Sequence, residues 1–139
     1  MKLVFHGHDE RYAVEQSLMS LFPGELPVYE PIQPDDDTWA VISLEEAGET
    51  CRVRVELCYQ GAAADRRLEA PLTGSDFDRE GQRRHTLAQC FFLAARDAAG
   101  IAPPWGMLTG VRPDKPVTWA LAAGKTPDQA REMLESEYF

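Results

Sequence analysis

The densest chemistry in this chain lies in Trp105-Gly106-Met107-Leu108-Thr109-Gly110-Val111-Arg112-Pro113-Asp114-Lys115-Pro116. Glycine and proline both weaken helix and strand ladders, so the string reads as a shaped loop leading into a helix. Arg112 and Lys115 then stand before or within the first turn of that helix, beside free backbone N–H groups. Fixed positive charge and unpaired N–H donors together favour a carboxylate or a phosphate. Thr109 adds a hydroxyl, and Gly106 and Gly110 let a ligand approach the backbone. A purely structural reading stands beside this one: Arg112 pairs with Asp114 or another acid, Trp105 packs beneath the loop, and Pro113 and the glycines only shape turns.

Other reactive side chains are scattered. Cys51 and Cys58 lie seven apart on one expected strand. Side chains alternate along a strand, so an odd separation puts them on opposite faces, unable to share a metal or a disulfide there. Cys90 falls on the apolar stripe of a helix, where a thiol behaves as a small hydrophobe. His6 and His8 share a strand face, yet two imidazoles without a third ligand make a weak zinc set. Asp35-Asp36-Asp37 reads as a solvated turn, because a hard cation needs further oxygen ligands. The serines sit in no nucleophile elbow, and no Walker-type phosphate loop is present. No acid, base and nucleophile assemble from these residues.

Composition bounds the partners. The chain has 139 residues, 44% hydrophobic and 27% charged, with a net charge of −9. Such a composition is globular, and the acidity opposes duplex nucleic acid, whose binding relies on neutralising phosphates. No membrane span or signal peptide is legible, and the expected location is the cytoplasm.

Elements follow from periodicity. Leu3 to His6 reads as a strand; Asp9 is expected to cap a helix to about Phe22, with Val14, Leu18, Leu21 and Phe22 on its buried stripe. Prolines from 27 to 34 permit only a brief edge strand near Val28. Trp39 to Leu44 is an apolar run consistent with a strand covered on both sides. Cys51 to Tyr59 alternates cleanly. A turn at Gly61-Ala62 would set Arg54 against Glu69, Glu56 against Arg67, Val55 against Leu68 and Val53 against Ala70, leaving Leu57 opposite Arg66. The arginines at 52, 54, 66 and 67 thereby read as partners of acids. Capping residues from Thr73 to Asp78 open a long helix that ends before Gly100. Its stripe is Leu87, Cys90, Phe91, Ala94, Ala95 and Ala98, widened by Phe92 and Leu93 toward further helices. Two helical patterns follow the 105–116 loop, the second opened by Thr126-Pro127-Asp128-Gln129. The expectation is an α+β fold: a largely antiparallel three- to four-stranded sheet with helices on one face in residues 1–104, and a two-helix appendage in 105–139.

From Trp105 to Phe139 the chain resembles the segment that precedes the radical-SAM core of coproporphyrinogen dehydrogenases, the oxygen-independent coproporphyrinogen III oxidase-like proteins. The resemblance is carried by Trp105 to Pro113, and continues through Lys115, Gly124 and the Pro127 to Tyr138 pattern, with Gly100-Ile101 before it. It implies a core downstream that uses a [4Fe–4S] cluster and S-adenosylmethionine to decarboxylate two propionates of coproporphyrinogen III in heme synthesis, or a relative acting in heme trafficking. The C-x3-C-x2-C cluster motif is not in this sequence, so no catalytic, cluster or S-adenosylmethionine residue carries over. Only Trp105, Gly106, Thr109, Gly110, Arg112, Pro113 and Lys115 transfer, as a family signature. These residues lead to the expectation of an accessory domain that docks on a radical-SAM core of the same polypeptide. The alternatives are a stand-alone module for tetrapyrrole carboxylates and, less favoured by the charge, an RNA-binding module. No membrane partner is expected.

Overall fold

In a computed structural model of the protein, residues 1–101 are described. The chain divides into two compact units, Met1–Ile101 and Ala102–Phe139. The expected two-helix appendage and the 105–116 loop lie outside the described residues.

The first unit runs β1 (Lys2–His6), α1 (Arg11–Leu21), β2 (Trp39–Ala47), β3 (Thr50–Tyr59), β4 (Ala62–Pro71) and α2 (Asp76–Ala99). The four strands form one sheet in sequence order, β1 parallel to β2 and the others antiparallel. The fold is α+β. A parallel neighbour cannot be reached by a tight turn, and the chain spans that distance with α1 and the proline-rich segment after it.

One face of the sheet makes the core. Leu3, Ala40, Ile42, Leu44, Cys51, Val53, Val55 and Leu57 alternate along their strands and are buried. Against them α2 lays Leu87, Cys90, Phe91, Ala94 and Ala95, all fully buried. Helix α1 packs on α2 and adds Val14, Leu18 and Leu21. Each large side chain so buried stabilises the fold by about 1.5–3 kcal/mol. Phe92 and Leu93 are buried too, whereas Ala98 is only half-buried. Ser75 caps α2, its hydroxyl accepting from the Asp78 N–H while the Asp78 carboxylate accepts from the Ser75 N–H. Gly100 ends it in the left-handed conformation.

Several expectations are corrected. Helix α1 starts at Arg11 after Glu10, with no side-chain cap, because Asp9 pairs with Arg11 instead. The segment near Val28 forms a single bridge to Lys2 rather than a strand. Strand β2 is fully buried on its inner side alone, its outward Trp39, Val41 and Ser43 being half-buried.

The largest correction is register. Tyr59 pairs with Ala62, so the turn is Gln60-Gly61, one residue earlier than Gly61-Ala62. Both central residues have positive φ, 50° and 86°, as a type I′ hairpin demands. Moving a turn by one residue moves the register by two. Arg52 therefore faces Glu69, Val53 faces Leu68, Arg54 faces Arg67, Val55 faces Arg66, Glu56 faces Asp65 and Leu57 faces Ala64. A shift of two preserves which side chains face inward, so the core survives while the charge partners change.

Glutamine is a poor occupant of a positive-φ turn position, where asparagine is favoured. Gln60→Asn is expected to stabilise the protein by roughly 0.5 kcal/mol, a cost relieved at one strained residue. Urea denaturation measures it, and a lowered midpoint would contradict the turn.

Candidate functional site

The outer face of the sheet has one covered end and one open end. At the covered end the 31–38 loop folds over. Lys2 donates to Asp36 at 2.7 Å and to the Pro31 carbonyl, and Asp37 accepts from the Gly61 N–H and the Cys58 thiol. At the open end the register sets four polar side chains across all four strands: His6 beside Ser43, Ser43 beside Arg54, Arg54 beside Arg67. They line a cleft of about 710 Å³ with Gly7, Arg52, Glu45 and Glu69. Gly7 forms the rim at φ +80°, and a Cβ there would lie 2.3 Å from the Leu44 carbonyl oxygen.

The charges on this face are unevenly matched. Arg54 holds Asp65 diagonally through Nε at 3.1 Å and a terminal nitrogen at 2.7 Å, and Glu56 at 3.3 Å. This clamp keeps the Asp65 carboxyl below the usual carboxylate range. Arg52 meets Glu69 at 3.2 Å. Arg67 has no acid within 4.0 Å among the described residues, although an arginine lies directly opposite it. Arg66 points inward and binds Asp97 of α2, a sheet-to-helix pair rather than a cross-strand one. On α2, Arg79, Arg83 and Arg84 pair with Glu49, Glu46 and Glu10.

A second hollow, about 490 Å³, lies between the end of β4 and the start of α2. Its polar groups are engaged with each other: the Gln82 amide bridges the Thr73 N–H and carbonyl, and Thr86 donates to the Gln82 carbonyl.

Trp105, Gly106, Thr109, Gly110, Arg112, Pro113 and Lys115 lie outside the described residues. His6 and His8 do not act together: His8 Nε2 meets the Ile42 carbonyl and its Nδ1 accepts from the Glu10 N–H, while His6 lines the cleft. Asp36 serves Lys2 and the Gln33 N–H. No cluster of metal-ligating side chains occurs among the described residues. The thiols do not fit an iron–sulfur cluster. Cys51, Cys58 and Cys90 are all buried, Cys58 on the outer face, Cys51 and Cys90 in the core. Burial pushes the Cys90 thiol up to about 12, and burial raises Cys51 as well. No described helix is long and apolar enough to cross a membrane.

The row His6, Ser43, Arg54 and Arg67 was not visible in the sequence, because the expected register gave Arg67 to Glu56. No sequence signal favoured the observed turn, because glutamine is a poor occupant of its positive-φ first position. No family model matches the chain, and no curated protein matches it either.

Two predictions follow from these ionisations. The Arg66 hydrogen bond holds the Asp97 carboxyl below its ordinary value. A carboxyl depressed in the folded state adds stability above its unfolded pKa of about 3.9, and that stability is lost as pH falls through the folded value. Asp97→Asn should thus be less stable than the parent at pH 7, with the gap closing below about pH 4; a gap independent of pH would contradict the pair. Cys90 should resist iodoacetamide at pH 8 in the native protein and react only after unfolding, since the thiolate is the nucleophile. Mass spectrometry of the labelled peptide reads this directly.

Proposed function

We propose that this protein is an accessory, docking portion of a coproporphyrinogen dehydrogenase-like radical-SAM protein of porphyrin and heme synthesis, with a [4Fe–4S] cluster and S-adenosylmethionine carried by a radical-SAM core of the same polypeptide. The observation that carries this reading is the string Trp105 to Pro113 with the Lys115, Gly124 and Pro127 to Tyr138 pattern after it. Two features of the first unit support it. The unit ends at Ile101, so the signature follows a sheet-and-helix body in the sequence. Its thiols are committed to packing, which fits a division of labour in which cluster ligands come from elsewhere.

The reading frame beyond the codon of Phe139 tests the proposal. A C-x3-C-x2-C motif is expected there, and the polypeptide carried through to its stop codon should purify anaerobically with thiolate-to-iron absorbance. A stop codon directly after Phe139, or an extension without the motif, would contradict it.

A further inference from the structure

We propose that the open end of the outer sheet face binds a small molecule through a single oxyanion head, a carboxylate or a phosphate, received by Arg67 and the row it completes. This stands apart from the radical-SAM reading and rests on the first unit alone.

Three observations converge on Arg67. First, the register places Arg67 of β4 directly opposite Arg54 of β3. Like-charged residues at directly opposed ladder positions are destabilising, and an anion bound at Arg67 would offset that. Second, Arg54 is held by Asp65 and Glu56, while Arg67 has no acid within 4.0 Å among the described residues. One guanidinium is thus oriented and the other retains its donors for a ligand. Planar forks of this kind match carboxylate and phosphate oxygens. Third, Ser43 and His6 continue the row on β2 and β1, so hydrogen-bonding side chains run the full width of the cleft. The open cleft they line has a volume of about 710 Å³.

The walls set the ligand's charge. Glu45 and Glu69 line the same cleft, and carboxylates there repel a second anionic group. A single anionic head with a neutral or cationic remainder fits; a polyanionic strand of nucleic acid does not. Gly7 at the rim leaves space where any side chain would strike the Leu44 carbonyl.

The test is a titration of the isotope-labelled full chain, following the Nε–H resonances of Arg54 and Arg67 by NMR. The probes are inorganic phosphate, lactate and a single-stranded RNA oligomer, each at low salt. Saturable shifts with phosphate, lactate or both are expected, and the stronger probe names the head group. Arg67→Gln should weaken binding by roughly tenfold, the scale of one charge-assisted hydrogen bond. Arg67→Lys should fall between, since it keeps the charge and loses the fork. Arg96→Gln is the control, because Arg96 lies on α2 and also lacks an acid within 4.0 Å among the described residues; its affinity should equal the parent's. The proposal is overturned by no saturable shift with phosphate or lactate, by equal effects of the Arg67 and Arg96 variants, or by a response to RNA alone.

Discussion

The structure of the first unit depends on how β3 is set against β4, and that setting is decided at two residues. Gln60 and Gly61 both adopt positive φ, which twists the hairpin in the sense its strands require. A turn beginning one residue later would give every outer-face arginine of the hairpin a different neighbour. The apolar face would be indifferent to that change, because a slip of two residues keeps its period. Core packing and turn chemistry therefore answer different questions here. Burial of Val53, Val55 and Leu57 chooses the face; the turn chooses the register.

The consequence is a sheet whose sides have separate roles. Inward, helix α2 covers β3 and β4, and the Arg66–Asp97 pair ties strand to helix at its margin. Outward, the 31–38 loop seals one end through Asp36 and Asp37, leaving the other end as a cleft. The exposed ion pairs add little each, but their arrangement decides which charge is left over. Among the described residues of the outer face, the arginine left without an acid within 4.0 Å is Arg67.

Much of the fold was legible because its signals were local and periodic. The alternation from Cys51 to Tyr59 and the helical stripe from Leu87 to Ala95 each matched one period. Ser75 and Asp78 fell within the capping stretch expected for α2. Failures came at the ends of elements. Asp9 was the expected cap of α1, whereas the helix begins after Glu10 and Asp9 pairs with Arg11. The Gly61-Ala62 turn expected from the sequence gave attractive charge pairs, but the turn lies at Gln60-Gly61. Charge matching at exposed positions is worth about 0.2–1 kcal/mol per pair, too little to fix a register by itself. The candidate cleft was hidden by that single error, since the wrong register supplied Arg67 with a partner. The signature loop from Trp105 to Lys115 stands on sequence resemblance, and the proposed place of this chain beside a radical-SAM core stands with it.

Backbone NOEs across the β3–β4 ladder test the central claim most directly. They should connect Arg54 with Arg67 and Val53 with Leu68, pairing Tyr59 with Ala62 at the turn. Connections from Arg54 to Glu69 and from Val55 to Leu68 would contradict it, and with it the Arg54–Arg67 row on the open face.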